Sequence, residues 1–196
     1  MAEIKSTMDM VLERAARMAA TASSDDTNED LEKKGMRFAA EFLKGGDSDL
    51  VKSLMNQPAG EQMSIRRGMA QTLLRNVVLP RDEELQKAGK IALQAISALG
   101  GKSQEIDTIC RELGQILDQY GQHKEQMTQQ LEDAIRGQLQ QMAKGRGNQE
   151  NLNPAMHPQY REELTRMLTG LNNQYTDALS QRKDMILLRF SPKQTS

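Results

Sequence analysis

SQEIDTICRELGQILDQYGQHKEQMTQQLEDAIRGQLQQMA, residues 103–143, is the stretch that decides the fold. No proline interrupts it, and none follows until Pro154. Ile106, Cys110, Leu113, Leu117, Tyr120, Met127 and Leu131 recur at close to heptad spacing; Ile135, Leu139 and Met142 continue at the period of a straight helix. Asp107 to Arg111 and Glu132 to Arg136 add i,i+4 pairs of opposite charge. One helix is expected here, about 60 Å long at 1.5 Å per residue, more than a compact domain of this size needs. Pro158 then opens a second periodic segment reaching Arg189, with Leu164, Leu168, Leu171, Tyr175, Ala178, Met185 and Ile186 on one side. Two long amphipathic helices joined by the loop 145–154 predict an antiparallel hairpin.

Upstream the punctuation is denser. Ile4, Met8, Val11, Leu12, Ala15 and Ala19 predict a helix over residues 2–20, followed by a polar linker over 21–28. Thr27 is the expected cap of a second helix with Leu31, Phe38, Ala39, Phe42 and Leu43 on its apolar face, closed by Gly45-Gly46. A short third helix, capped by Asp47 or Ser48, carries Leu50, Val51, Leu54 and Met55 and breaks over 56–60. The fourth runs from Glu61 to Val78 with an apolar stripe broad enough for a buried, central helix. Pro80 suits the first turn of the fifth, which ends at Gly100-Gly101. The fold class is therefore all-α: a five-helix bundle over 1–101 and a long helical hairpin over 102–196, as two domains or one continuous one.

Composition supports the same class. Leu, Ala and Met together outnumber Val and Ile about four to one, and only 3% of residues are aromatic. Strands prefer the β-branched and aromatic residues that are scarce here. A single cysteine excludes an intrachain disulfide, and with two histidines it cannot build a classical zinc cluster. A net charge of −1 argues against bulk electrostatic binding to nucleic acid or anionic lipid. No run of eighteen apolar residues and no apolar leader occurs, so no membrane span is expected and the default location is cytoplasmic.

Glu3-Ile-Lys-Ser-Thr-Met-Asp-Met-Val-Leu-Glu-Arg14 and Lys34-Gly-Met-Arg-Phe-Ala-Ala-Glu-Phe-Leu43 resemble a group of uncharacterised small bacterial all-helical proteins. The resemblance covers the first third of the chain. It implies a bacterial, cytosolic origin and carries no activity or site residue.

Few residues suggest chemistry. His123 lies among Gln122, Lys124 and Glu125, as on a solvated face, and His157 sits in the loop before Pro158. Cys110 falls on the apolar stripe, where a thiol acts as a small hydrophobe. Gly145-x-Gly147 follows a helix and precedes no strand, so it is no phosphate cradle. Glu162-Glu163 and Asp25-Asp26 lack metal-ligand spacing. Arg66-Arg67, Lys144, Arg146 and Arg182-Lys183 are the candidates for phosphate contacts, but no aromatic residues interleave with them. The 13 methionines are expected mainly in the core, with a partner-binding groove as the alternative. Gly114 and Gly121, seven residues apart on one face of the long helix, mark either a close helix contact or an exposed face.

No catalytic, cofactor-binding or metal-ligating residue is assigned. The expected function is a non-enzymatic helical interaction or scaffold protein without a cofactor, self-associating as a homodimer or binding another protein through its hairpin. The alternative is a nucleic-acid-associated accessory protein.

Overall fold

Glycine follows two of the helices and proline opens another in the computed structural model, which describes residues 27–45, 49–144 and 153–191, the side chains of 142–144 aside. The expected helix over 2–20, most of the linker after it, Asp47, Ser48 and the loop residues 145–152 lie outside the described residues. Six α-helices occur among the described residues, and no strand. They are α1 (27–43), α2 (Leu50–Met55), α3 (Gln62–Asn76), α4 (Glu83–Gly100), α5 (Gln104–Lys144) and α6 (Pro158–Arg189), with a 3₁₀ turn at Pro154–Met156.

Both long helices stand where the periodicity put them. Four other boundaries differ from expectation. Thr27 is already helical rather than a cap. Asp49 caps α2, its Oδ1 accepting from the Val51 and Lys52 amides at 3.0 and 3.2 Å. α3 stops at Asn76, two residues early, and Pro80 is buried in the non-helical link that follows. Asp82, not Pro80, begins α4 by accepting from the Leu85 amide at 2.9 Å. At the other end Gly101 has φ of +65°, a conformation that glycine adopts without strain.

The chain divides into two compact units, residues 1–75 with 187–196, and residues 76–186. In the second, α4 packs along α5. In the first unit α1 and α3 approach backbone to backbone. A methyl group on Gly35 would lie 2.0 Å from the Ile65 carbonyl oxygen, and one on Gly68 would lie 2.0 Å from that of Glu32. Around the crossing, Ser64 donates to Asn28 at 2.8 Å, and Glu32 holds Arg67 at 3.0 Å and Gln71 at 3.3 Å. Ile65, Met69, Ala70 and Leu73 are fully buried, as the broad stripe of α3 predicts.

In the second unit α4 buries Ala92, Leu93, Ala95, Ile96 and Leu99, and the first half of α5 buries Ile106, Ile109, Cys110, Leu113 and Leu117. Gly100 lies under Ile106, and Gly89 lies beside Leu117. α6 returns antiparallel to α5: Arg182 meets Glu112, Asn172 meets Tyr120, and Tyr160 meets Glu132. The partners step back along α6 as they advance along α5, which establishes the expected hairpin.

Candidate functional site

The α5–α6 seam gathers most of the polar chemistry of the second unit. Two clusters of apolar residues stand along it. Tyr120, Leu171 and Tyr175 make one, with Leu79, Ile116 and Met127 against them. Leu131, Ile135 and Tyr160 make the other, with Leu139, Leu164 and Met167. Tyr120 and Tyr175 pack edge to face at 5.5 Å, and each turns its hydroxyl to a partner at the rim of the seam. Tyr120 donates to Asn172 Oδ1 at 2.7 Å; Tyr175 Oη and His123 Nδ1 are hydrogen-bonded at 2.6 Å. Amphipathic rings that bury a face and wet a tip suit such a seam.

His123 is exposed, as its neighbours predict, yet it is anchored by that bond and by ring contact with Tyr175 at 5.7 Å. Local sequence cannot announce a pair 52 residues apart. The signal was available only in the hairpin register, which brings the two stripes level. Tyr160 donates to Glu132 at 3.2 Å, and burial, then the hydrogen bond and charge of Glu132, push its hydroxyl above the usual phenol range. Burial likewise raises Tyr120, against the field of Arg81.

Cys110 is buried, and its thiol is pushed up to about 11 by desolvation and then by the charge of Asp107. It is held as the neutral thiol at physiological pH, the reverse of what a nucleophile needs. His157 follows the 3₁₀ turn, with its Nδ1 buried and, among the described residues, without a hydrogen-bond partner, beside Gln138, Gln141 and Gln159. Among the described residues no group of three His, Cys, Asp or Glu side chains could hold a metal ion.

The basic candidates are separated or already engaged. Arg67 pairs with Glu32 in the first unit, and Arg182 pairs with Glu112 at 2.7 Å in the second. Burial lowers the Lys183 ammonium. Arg66 keeps a buried, unpartnered Nε, while the Lys144 side chain and Arg146 lie outside the described residues.

The methionines split. Met69 is fully buried, Met127 and Met167 pack against the two seam clusters, and Met185, expected inward, is exposed together with Met55, Met63 and Met156. Of the two glycines singled out on α5, Gly114 has only Leu93 near it, at the 3.9 Å of ordinary contact, and Gly121 faces open space. The close helix approach involves Gly35 and Gly68 instead.

No described helix is long and apolar enough to cross a membrane. No match was found among curated proteins or among solved structures. A family model matches residues 51–187, from α2 through almost all of α6, and begins beyond both stretches that carry the resemblance noted in the sequence. That match takes in nearly the whole hairpin and the α4 helix packed on its base. The chain belongs to the family of unknown function DUF6657.

Proposed function

We propose that the protein is a non-enzymatic helical interaction protein that self-associates through the outer half of its hairpin. One observation carries this reading. The last bond from α5 to the chain preceding α4 is Lys124 Nζ donating to the Arg81 carbonyl at 3.1 Å. Beyond it, among the described residues, α5 continues to Lys144 beside α6 and the Pro154–Met156 turn, a further reach of about 30 Å. Two helices alone cover one side of each apolar stripe. Along this reach Leu131, Ile135 and Tyr160 are buried but Leu139, Leu164, Met167 and Leu168 stay half-buried, whereas Leu113 and Leu117 at the base are fully buried. A second copy laid along the arm completes a four-helix arrangement, and closed two-fold dimers are the commonest oligomer.

Light scattering over a micromolar concentration series tests the reading. The expected result is a dimer that dissociates on dilution. Leu168→Glu, altering a half-buried residue outside both seam clusters, should shift the protein to monomer while its helical circular dichroism persists. A strict monomer at every concentration overturns self-association. A salt-dependent shift of RNA or DNA by that monomer would replace it with a nucleic-acid role.

A further inference from the structure

Two helices of the first unit carry the same four-residue pattern where they cross. α1 reads Lys33-Lys34-Gly35-Met36 and α3 reads Arg66-Arg67-Gly68-Met69; no other glycine in the chain follows two basic residues. Their contact is reciprocal. A methyl group on Gly35 would strike the carbonyl oxygen of Ile65, three residues before Gly68; one on Gly68 would strike that of Glu32, three residues before Gly35, each at 2.0 Å. Exchanging the two helices thus maps the crossing onto itself, the relation that a two-fold axis imposes on a homodimer.

α3 therefore presents both halves of the contact, a glycine to lie over a carbonyl and a carbonyl to receive a glycine. Its charges match as well. Lys34 pairs with Glu61 at 3.8 Å, and Arg67 is the counterpart of Lys34 in the exchanged helix. Two α3 helices would then set Glu61 of each copy beside Arg67 of the other. Asn28, which accepts from Ser64 at 2.8 Å, has Glu61 as its counterpart, and a carboxylate also accepts from a hydroxyl. The bonds of Glu32 to Arg67 and Gln71 have no counterpart, because Ile65 takes its place. α1 itself is lightly held: of its residues only Gly35 and Ala39 are buried, while Leu31, Met36, Phe38, Phe42 and Leu43 stay half-buried. It also precedes residue 51, where the family match begins, whereas α3 lies inside that match.

We propose that α1 is a removable cover over a self-complementary face of α3, and that a second copy of this chain binds there, α3 against α3, when α1 is displaced. Tethering gives α1 a high effective concentration, so it holds the face in the resting chain. The contact belongs to the first unit and does not rest on association through the hairpin, so either proposal can fail alone.

The test uses full chains that all carry Leu168→Glu, and mass is read by light scattering relative to that chain, so any hairpin association that persists cancels. Gly35→Leu keeps α1 off its seat and leaves α3 intact; the mass should double. Gly68→Leu unseats α1 but spoils α3 too, and the mass should not change. Within the Gly35→Leu chain, Glu61→Arg and Arg67→Glu each set like charges across the two-fold contact, which disfavours pairing. Each variant alone should stay undoubled, and mixing the two should restore a dimer with one chain of each kind. Where Gly35→Leu costs the helical circular dichroism, Asn28→Ala with Glu32→Ala replaces it. That pair deletes the bonds of α1 to Ser64, Arg67 and Gln71 without adding volume, and should show the same dependence on mixing. No rise in mass from either background in a chain that keeps its helical signal overturns the proposal. So does a rise that survives Gly68→Leu, or one indifferent to mixing.

Discussion

The two units pack helices by opposite means. In the first, α1 and α3 meet through their backbones, and Gly35 and Gly68 are required because any side chain would strike a carbonyl oxygen. In the second, α5 and α6 meet through Leu, Ile and Tyr side chains, while Gly121, Gly137 and Gly170 face open space. The same residue type is a packing necessity at one contact and a local weakness at the other. A backbone contact tolerates almost no change in volume, whereas a side-chain seam can repack. The first contact is therefore expected to be brittle and the second adaptable.

The sharpest challenge to the adaptable seam is charge. Leu131→Asp places a carboxylate in the outer cluster and should cost about 3–5 kcal/mol. Gln130, adjacent but exposed, should tolerate alanine within about 0.5 kcal/mol. Denaturant titration of the two variants checks this, and equal midpoints would refute the hairpin register. At the brittle contact a single methyl should suffice: Gly68→Ala is expected to lose about 1–3 kcal/mol. Gly137→Ala, on α5, should instead gain about 0.5–1 kcal/mol. Thermal melts that moved in the same direction would erase the distinction between the two packing modes.

A third expected effect belongs to the base of α5. The Cys110 thiol sits at about 11 in the folded chain against an ordinary 9.0. A folded-state value above the unfolded one leaves the contribution intact below pH 9 and removes it as pH rises towards 11. The loss should be of the order of 2 kcal/mol and absent from a Cys110→Ala variant. Stability profiles of the two proteins that ran parallel across this window would show that the thiol is not desolvated. Tyr175→Phe should give the smallest effect, about 1 kcal/mol, since it removes one hydroxyl at the rim of the seam and leaves the ring packing.

Where the sequence carried the structure, it did so through periodicity and breakers. The long helices were legible because forty-odd residues without proline keep one stripe, and Pro158 and the glycines mark their limits. Gly100-Gly101 forms the tight turn that folds α4 onto α5. The α1–α3 crossing is not legible in the same way: nothing near Gly35 in sequence indicates that a carbonyl from residue 65 will lie against it. Gly114 and Gly121 share a helix face, and a shared face says nothing about what stands opposite. Among the candidate site residues, the burial of Cys110 followed from its stripe. The tie between His123 and Tyr175 required knowledge of the register.

The three tyrosines of the chain, at 120, 160 and 175, all lie in the α5–α6 seam, and there is no tryptophan. Ultraviolet emission excited near 280 nm therefore originates in that seam alone, while the first unit, with phenylalanine as its aromatic, is dark. The backbone signal, by contrast, sums over every helix. The wild-type chain thus arrives with a spectroscopic filter built in: one wavelength follows the hairpin, the other follows the whole, and any interval between the two melting curves measures how independently the parts unfold.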